Sequence, residues 1–177
     1  LCKSVRAQYF DLLKEPELEF FQRYELVDEA ARCLYVRLVS RRGLLFRSEQ
    51  LSYPELGPLE PAIAQLCEAG LAQVSTSPEP EQLLHLLRKD ELLAIYRGSA
   101  GLAASLRKSD MQLRLLTEFS AQELLDAWQA WCAPGCYLLE ICYQDCIDLL
   151  QLLFFGNSRQ NLTEFVLTDL GVTRYWN

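Results

Sequence analysis

Between Leu26 and Val74 the chain alternates between helical and strand-like spacing in an order that few folds accept. Val27, Ala30, Ala31, Leu34 and Leu38 recur at helical spacing over Leu26–Arg42, and Gly43 stands where a C-terminal cap is wanted. Leu44–Arg47 reads as a short strand and Leu51–Leu56 as one or two helical turns. A second helix over Leu59–Ala69 buries Leu59, Ala62, Ile63, Leu66 and Cys67; Gly70 stops it, and Leu71–Val74 supplies a second strand. Helix, strand, helix, helix, strand is the order of a winged-helix unit, a variant of the helix-turn-helix.

Leu1–Glu15 and Glu17–Tyr24 are expected as two short helices separated by Pro16. Ser75–Glu81 is a linker by composition. Beyond it, Glu81–Leu87 and Lys89–Tyr96 are short and helical, Gly98-Ser-Ala-Gly101 is a loop, and a further helix is expected from Ser109. Ser109 and Gln112, and Ser120 and Glu123, have capping-box spacing. Short helices around a basic, glycine-containing loop match the size of a SAP-type DNA-binding hairpin. Glu123–Cys132 and Tyr143–Phe155 read as apolar helices interrupted by Pro134-Gly135, and the tail from Phe165 to Asn177 as two strands around a turn near Asp169. The expected fold class is mainly α with short strands. Residues 1–75 form the N-terminal helices and winged-helix unit, 76–119 the SAP-like hairpin, and 120–177 helices and strands packing on the first unit.

Charge is unevenly placed. Arg32, Arg37, Arg41, Arg42 and Arg47 fall between Ala30 and Ser48 with no Asp or Glu among them, a segment of +5 in a chain of net charge −7, which leaves −12 for the remainder. A basic segment in an acidic protein points first to an anionic polymer such as nucleic acid. Arg97, Arg107, Lys108 and Arg114, with Asp110, add a second group of +3 around the SAP-like hairpin. The helix in the recognition position, Leu59–Ala69, carries Glu60 and Glu68 and neither Arg nor Lys, so it is poorly suited to reading base edges in a major groove. Contacts to the sugar-phosphate backbone, independent of sequence, are the expected mode.

Catalytic chemistry is not visible. His85 is the one histidine, so a Ser-His or Cys-His pair has a single possible base, and its place in Leu83-Leu-His-Leu-Leu87 reads as helix filler. No phosphate-binding glycine loop occurs. None of the four lysines, at 3, 14, 89 and 108, follows a Glu by two residues, so the Glu-x-Lys element of metal-dependent nuclease cores is missing. Seven cysteines, including Cys132, Cys136, Cys142 and Cys146, form no C-x-x-C pair and are expected as reduced packing residues rather than metal ligands. Half of the residues are hydrophobic, enough for a real core, yet no run approaches the roughly 20 residues that cross a bilayer. No secretory signal is visible, and a first residue of Leu rather than Met suggests a piece of a longer protein.

Leu34-Tyr-Val-Arg-Leu38, Arg41-Arg42, Phe46-Arg47, Leu51-Ser-Tyr-Pro-Glu55 and Ala69-Gly-Leu71 resemble the winged-helix segment of the Fanconi-associated nuclease family, and Leu152-Leu-Phe-Phe-Gly-Asn157 and Phe165-Val-Leu-Thr-Asp-Leu-Gly171 resemble the segment after its SAP domain. The resemblance implies the non-catalytic N-terminal part of a bacterial-type, structure-specific 5′-flap nuclease active in interstrand cross-link repair. The catalytic VRR-NUC domain, with its Mg²⁺ or Mn²⁺, would lie outside this chain, so neither catalytic nor metal-binding residues are assigned within it. It implies Arg41 and Arg42 as the foremost duplex contacts, although Arg replaces the family's Lys at 42. Arg37, Arg47 and Tyr53 beside them, and Arg97, Arg107, Lys108 and Arg114 around the SAP-like hairpin, complete the expected DNA-contact set. Double-stranded or branched DNA is the implied partner and the bacterial nucleoid, or a eukaryotic nucleus, the implied location. The competing reading is a protein-interaction scaffold whose basic patch is incidental.

Overall fold

The structure is a computed structural model that describes residues 13–155. It is mainly α-helical with short strands, and it divides into two compact units through which the chain passes more than once. One is built from the chain up to Leu44, Tyr53–Gln73 and the chain from Ile141; the other from Leu45–Ser52 and Val74–Glu140.

In the first unit, α1 (Glu15–Leu26) begins with Pro16 in its first turn, where a missing N–H costs nothing. Pro16 therefore lies inside the first turn of this helix. Glu17 reaches back to accept the Lys14 N–H at 2.8 Å. Helix α2 (Glu29–Val39) starts later than the apolar spacing indicates, because Asp28 caps it by accepting the Ala31 N–H at 2.8 Å. Gln65 of α3 (Glu60–Glu68) holds that cap in place, accepting the Asp28 N–H at 3.0 Å and donating to the Asp28 carboxylate at 2.7 Å. These bonds keep the exposed Asp28 carboxyl below the ordinary range. Helix α2 also packs on the 3₁₀ turn Pro54–Leu56.

The interior of this unit is aromatic on one side. Phe20 of α1 lies 5.7, 6.0 and 5.9 Å from the rings of Tyr24, Tyr35 and Tyr143, and the Tyr35 hydroxyl donates to the Cys142 carbonyl at 2.7 Å. Tyr143 adopts φ +66 just before α8 (Gln144–Phe155), which packs on α1. Arg23 of α1 donates to the Ala69 carbonyl at 2.7 Å, pairs with Glu19 and lies 5.9 Å from the Tyr143 ring, so one guanidinium joins the end of α3 to the start of α8. Gly70 follows at φ +69, where a Cβ would run into the Arg23 guanidinium.

The second unit holds β1 (Leu45–Arg47), α4 (Pro80–Leu86), α5 (Lys89–Ile95), α6 (Lys108–Glu118) and α7 (Ala121–Trp131). Helix α4 packs against β1, α6 and α7, and α5 against α7. Leu45, Leu84, Leu87, Leu92, Met111, Leu115, Leu124 and Trp128 form one continuous core. Tyr96 donates to the Leu124 carbonyl at 3.0 Å, and burial pushes its phenol up to about 12, so it remains a donor. Ser120 and Glu123 form the expected capping box of α7. Ser109 and Gln112 do not: α6 begins one residue earlier with Arg107 as its cap residue, and Gln112 donates instead to the Leu84 carbonyl at 3.0 Å.

The wing departs most from expectation. The strand order is β1-β3-β2, with β2 over Ala72–Val74 and β3 over Leu138–Ile141. Strand β3 pairs antiparallel with β1, Leu45 opposite Glu140, Phe46 opposite Leu139 and Arg47 opposite Leu138. The two wing strands are thus not hairpin partners; a strand from sixty-odd residues later separates them. Residues 120–177, expected as one segment, are likewise shared: α7 belongs to the second unit and α8 to the first. The expected helix over Leu1–Glu15 falls almost wholly, and the tail strands after Phe165 entirely, outside the described residues.

Replacing Gly70 by Ala is expected to cost on the order of 1–2 kcal/mol, because the new Cβ is strained at positive φ and displaces Arg23 from the Ala69 carbonyl. A lowered melting temperature with unchanged helix content at 20 °C or so would report it; an unchanged melting temperature refutes the Arg23 link.

Candidate nucleic-acid interface

Helix α2 presents Arg37 on its last turn, and Arg41 and Arg42 follow in the turn that Gly43 completes at φ +89. All three arginines are exposed. The next segment returns to cover the same end of α2. The Tyr53 hydroxyl accepts from the Arg41 guanidinium at 3.4 Å, and Glu55, on the Pro54–Leu56 turn, pairs with Arg37 at 3.0 Å. Arg37, Arg41 and Tyr53 are therefore brought together, with Arg42 beside them in sequence. Glu60 and Glu68 are exposed on α3, which packs against α2. Three exposed guanidiniums, of Arg37, Arg41 and Arg42, stand at the end of α2, while the helix in the recognition position carries Glu60 and Glu68 and neither Arg nor Lys.

Two of the five clustered arginines go elsewhere. Arg32 turns back to donate to the carbonyl of Val27, the residue that ends α1, at 2.8 Å. Arg47 corrects the expectation of a single exposed corner, because it is only 5% exposed. Its Nη1 donates to both Glu91 oxygens at 2.9 Å, and Nε and Nη2 reach Glu49 at 2.6 Å. The Trp131 ring lies 5.6 Å from Cζ. A phosphate would have to displace two carboxylates to reach this group, so Arg47 is a structural cation.

The shifts follow from that arrangement. Burial alone would pull the Arg47 guanidinium down, but the hydrogen bonds and charges of Glu91 and Glu49 outweigh it and hold the group above its ordinary value. Burial likewise pushes the Glu91 carboxyl up, and the Arg88 amide at 2.7 Å with the Arg47 and Arg88 charges brings it below the usual carboxylate range. Sequence reasoning missed Glu49, Glu55 and Glu91. Only Glu91 leaves a local trace, three residues beyond the helix-cap position of Arg88.

The second basic group is partly occupied with holding its own loop. Lys108 donates to the His85 carbonyl at 2.8 Å and Arg114 to the Gly101 carbonyl at 2.9 Å, while Lys89, outside the expected set, reaches the Ala104 carbonyl at 2.6 Å. Burial lowers the Lys108 ammonium from its ordinary value, and Glu91 partly offsets this. Arg97 and Arg107 are exposed at the two ends of the loop. His85 is exposed and enters the structure through its backbone.

Among the described residues no group of three or more His, Cys, Asp or Glu side chains could hold a metal ion, and no helix is long and apolar enough to cross a membrane. Burial raises the Cys136 thiol, and Glu49 adds to the effect; burial raises Cys146 as well.

Comparison with known proteins matches the FAN1 HTH domain over residues 1–73 and the Fanconi anemia-associated nuclease SAP domain over residues 79–128. A Fanconi-associated nuclease 1 homolog of Pseudomonas aeruginosa is 40% identical over 171 residues, covering 97% of this chain and 30% of the relative. An Arabidopsis thaliana homolog is 26% identical over 187 residues, covering 99% and 20%. A crystal structure of paFAN1 bound to DNA with a 2-nucleotide 5′ flap and a gap superimposes with a TM-score of 0.81 at 36% identity, over 99% of this chain and 32% of that one. The corresponding complex with a 1-nucleotide flap gives 0.79 at 35% identity. The chain spans a third or less of the length of these proteins.

Arg47→Met should lower stability by about 3–5 kcal/mol in urea unfolding, because it strands a buried carboxylate, and adding Glu91→Leu should restore much of the loss. The folded-state pKa of Glu91 is depressed, so its contribution is present above the unfolded value of about 4.3 and is lost as pH falls through the folded one. Melting temperatures measured from neutral pH downward should fall more steeply for the unsubstituted chain than for Glu91→Gln; parallel profiles count against the pair.

Proposed function

Because the chain belongs to the Fanconi-associated nuclease family, we propose that it is the DNA-binding part of a structure-specific nuclease. It grips duplex phosphates near a 5′ flap or junction so that a separate VRR-NUC domain of the longer protein cuts, and the Mg²⁺ or Mn²⁺ of that chemistry belongs to the separate domain. The observation that carries the reading is the end of α2, where exposed Arg37, Arg41 and Arg42 stand with Tyr53 while the neighbouring α3 offers Glu60 and Glu68. Guanidiniums on a surface without a base-reading helix suit phosphates, which position a duplex without specifying its sequence. The Tyr53 hydroxyl, accepting from Arg41, restrains that long side chain before any ligand arrives and lowers the entropy lost on binding.

Arg97, Arg107, Lys108 and Arg114 form the second contact region of the proposal. Exposed Arg97 and Arg107 are the direct phosphate contacts there, and Lys108 and Arg114 keep the loop in shape while adding to the local positive field. Arg47 is outside the contact set. The solved complexes of paFAN1 with flapped DNA support DNA of this shape as the ligand. The proposed location is wherever that DNA lies, the nucleoid in a bacterium.

Each phosphate neutralised contributes about 0.9 to the slope of log affinity against log salt, so Arg41→Ala with Arg42→Ala should lower the slope for a flapped duplex by about 1.8, alike for unrelated sequences. An unchanged slope overturns the reading, and salt-insensitive binding of a protein partner in its place would favour a scaffold. The chain alone, given the same DNA and Mn²⁺, should yield no cleavage product; metal-dependent cutting would mean that this chain holds an active site.

A further inference from the structure

The Arg37–Glu55 pair at the end of α2 is exposed on both sides, the side chains 58% and 48% accessible. An ion pair this wet contributes little to stability. Its larger effect is on whatever anion approaches. Glu55 stands two residues after Tyr53 on the turn that packs against α2, so the segment that restrains Arg41 also sets a carboxylate on Arg37. Glu55 thus sets a carboxylate against one of the three guanidiniums at this end of α2.

We propose that Glu55 is a built-in brake on phosphate binding at this site, a carboxylate that occupies Arg37 and that a DNA phosphate must displace. The inference rests on the DNA-binding reading and concerns how that site is tuned. When Arg37 turns to a phosphate, Glu55 is left unpaired beside a polyanion and draws a cation from solution. The cation that the phosphate releases is then offset by the one Glu55 takes up, and Arg37 adds affinity without adding to the salt slope. Sequence-independent binding grows with the number of unmasked cations. A masked arginine therefore limits the grip on ordinary duplex while keeping a third contact in reserve.

The test titrates labelled flapped DNA with the 177-residue chain across a series of KCl concentrations, using Glu55→Gln, Arg37→Ala, their combination, and Arg41→Ala/Arg42→Ala. Glu55→Gln should tighten binding roughly two- to fivefold and steepen the salt slope by about 0.9. Neither change should appear in the Arg37→Ala background. Weaker binding by Glu55→Gln overturns the brake and makes Glu55 an orienting group for Arg37. An equal gain with and without Arg37 also overturns it, since the effect would then be general charge repulsion. The Arg41→Ala/Arg42→Ala arm separates the two ideas: an unchanged slope there refutes DNA contact at this patch, whatever Glu55 does.

Discussion

A guanidinium is not buried without anions to meet it, because the desolvation of an unpaired charge costs more than most folds have in reserve. Arg47 sits on a three-residue strand, and its carboxylate partners come from the turn after the strand and from the first turn of α5, more than forty residues away. Glu91 is fully engaged: one oxygen takes the Arg88 amide that opens α5, and both take Arg47. Strand β1 is therefore anchored to the helical part of its unit by charge as well as by the packing of Leu45 among the leucines of α4. A strand so short has little pairing of its own to rely on.

Removing Arg47 from the surface changes the electrostatics of the remainder. The +5 of the sequence resolves into one internal cation, one that closes on the backbone between α1 and α2, and three at the solvent-facing end of α2. Two of those three, Arg41 and Arg37, are in turn met by Tyr53 and Glu55. A charge count along a chain overstates a field whenever carboxylates from distant segments fold back onto the same place. Here the acidic excess of the chain supplies them.

Much of the architecture was legible because its signals are local. Ser120 and Glu123 cap a helix as their spacing indicates, Gly70 follows α3 at positive φ, and apolar residues at helical spacing mark the buried faces of α2 and α3. The ends of α2 were less legible, since Asp28 caps its start and Ser40, three residues before Gly43, its end. The strand over Leu138–Ile141 was not legible. A run of Tyr137-Leu-Leu-Glu-Ile141 between two apolar helices carries no period that separates strand from helix, and its pairing with β1 spans more than ninety residues. The helix boundary at Ser109 failed for a related reason. Gln112 donates to the Leu84 carbonyl of another helix instead of accepting at a local cap.

By itself the sequence determined most of the helices, their order and the charged residues available at the end of α2, since propensity, capping and side-chain period act over a few residues. Tertiary structure decided which charges remain outside. Arg37, Arg41 and Arg47 are chemically the same group; one meets Glu55 in water, one meets a phenol, and one meets Glu49 and Glu91 in the interior. The electrostatic fate of a side chain depends on the dielectric around it and on partners brought from far along the chain.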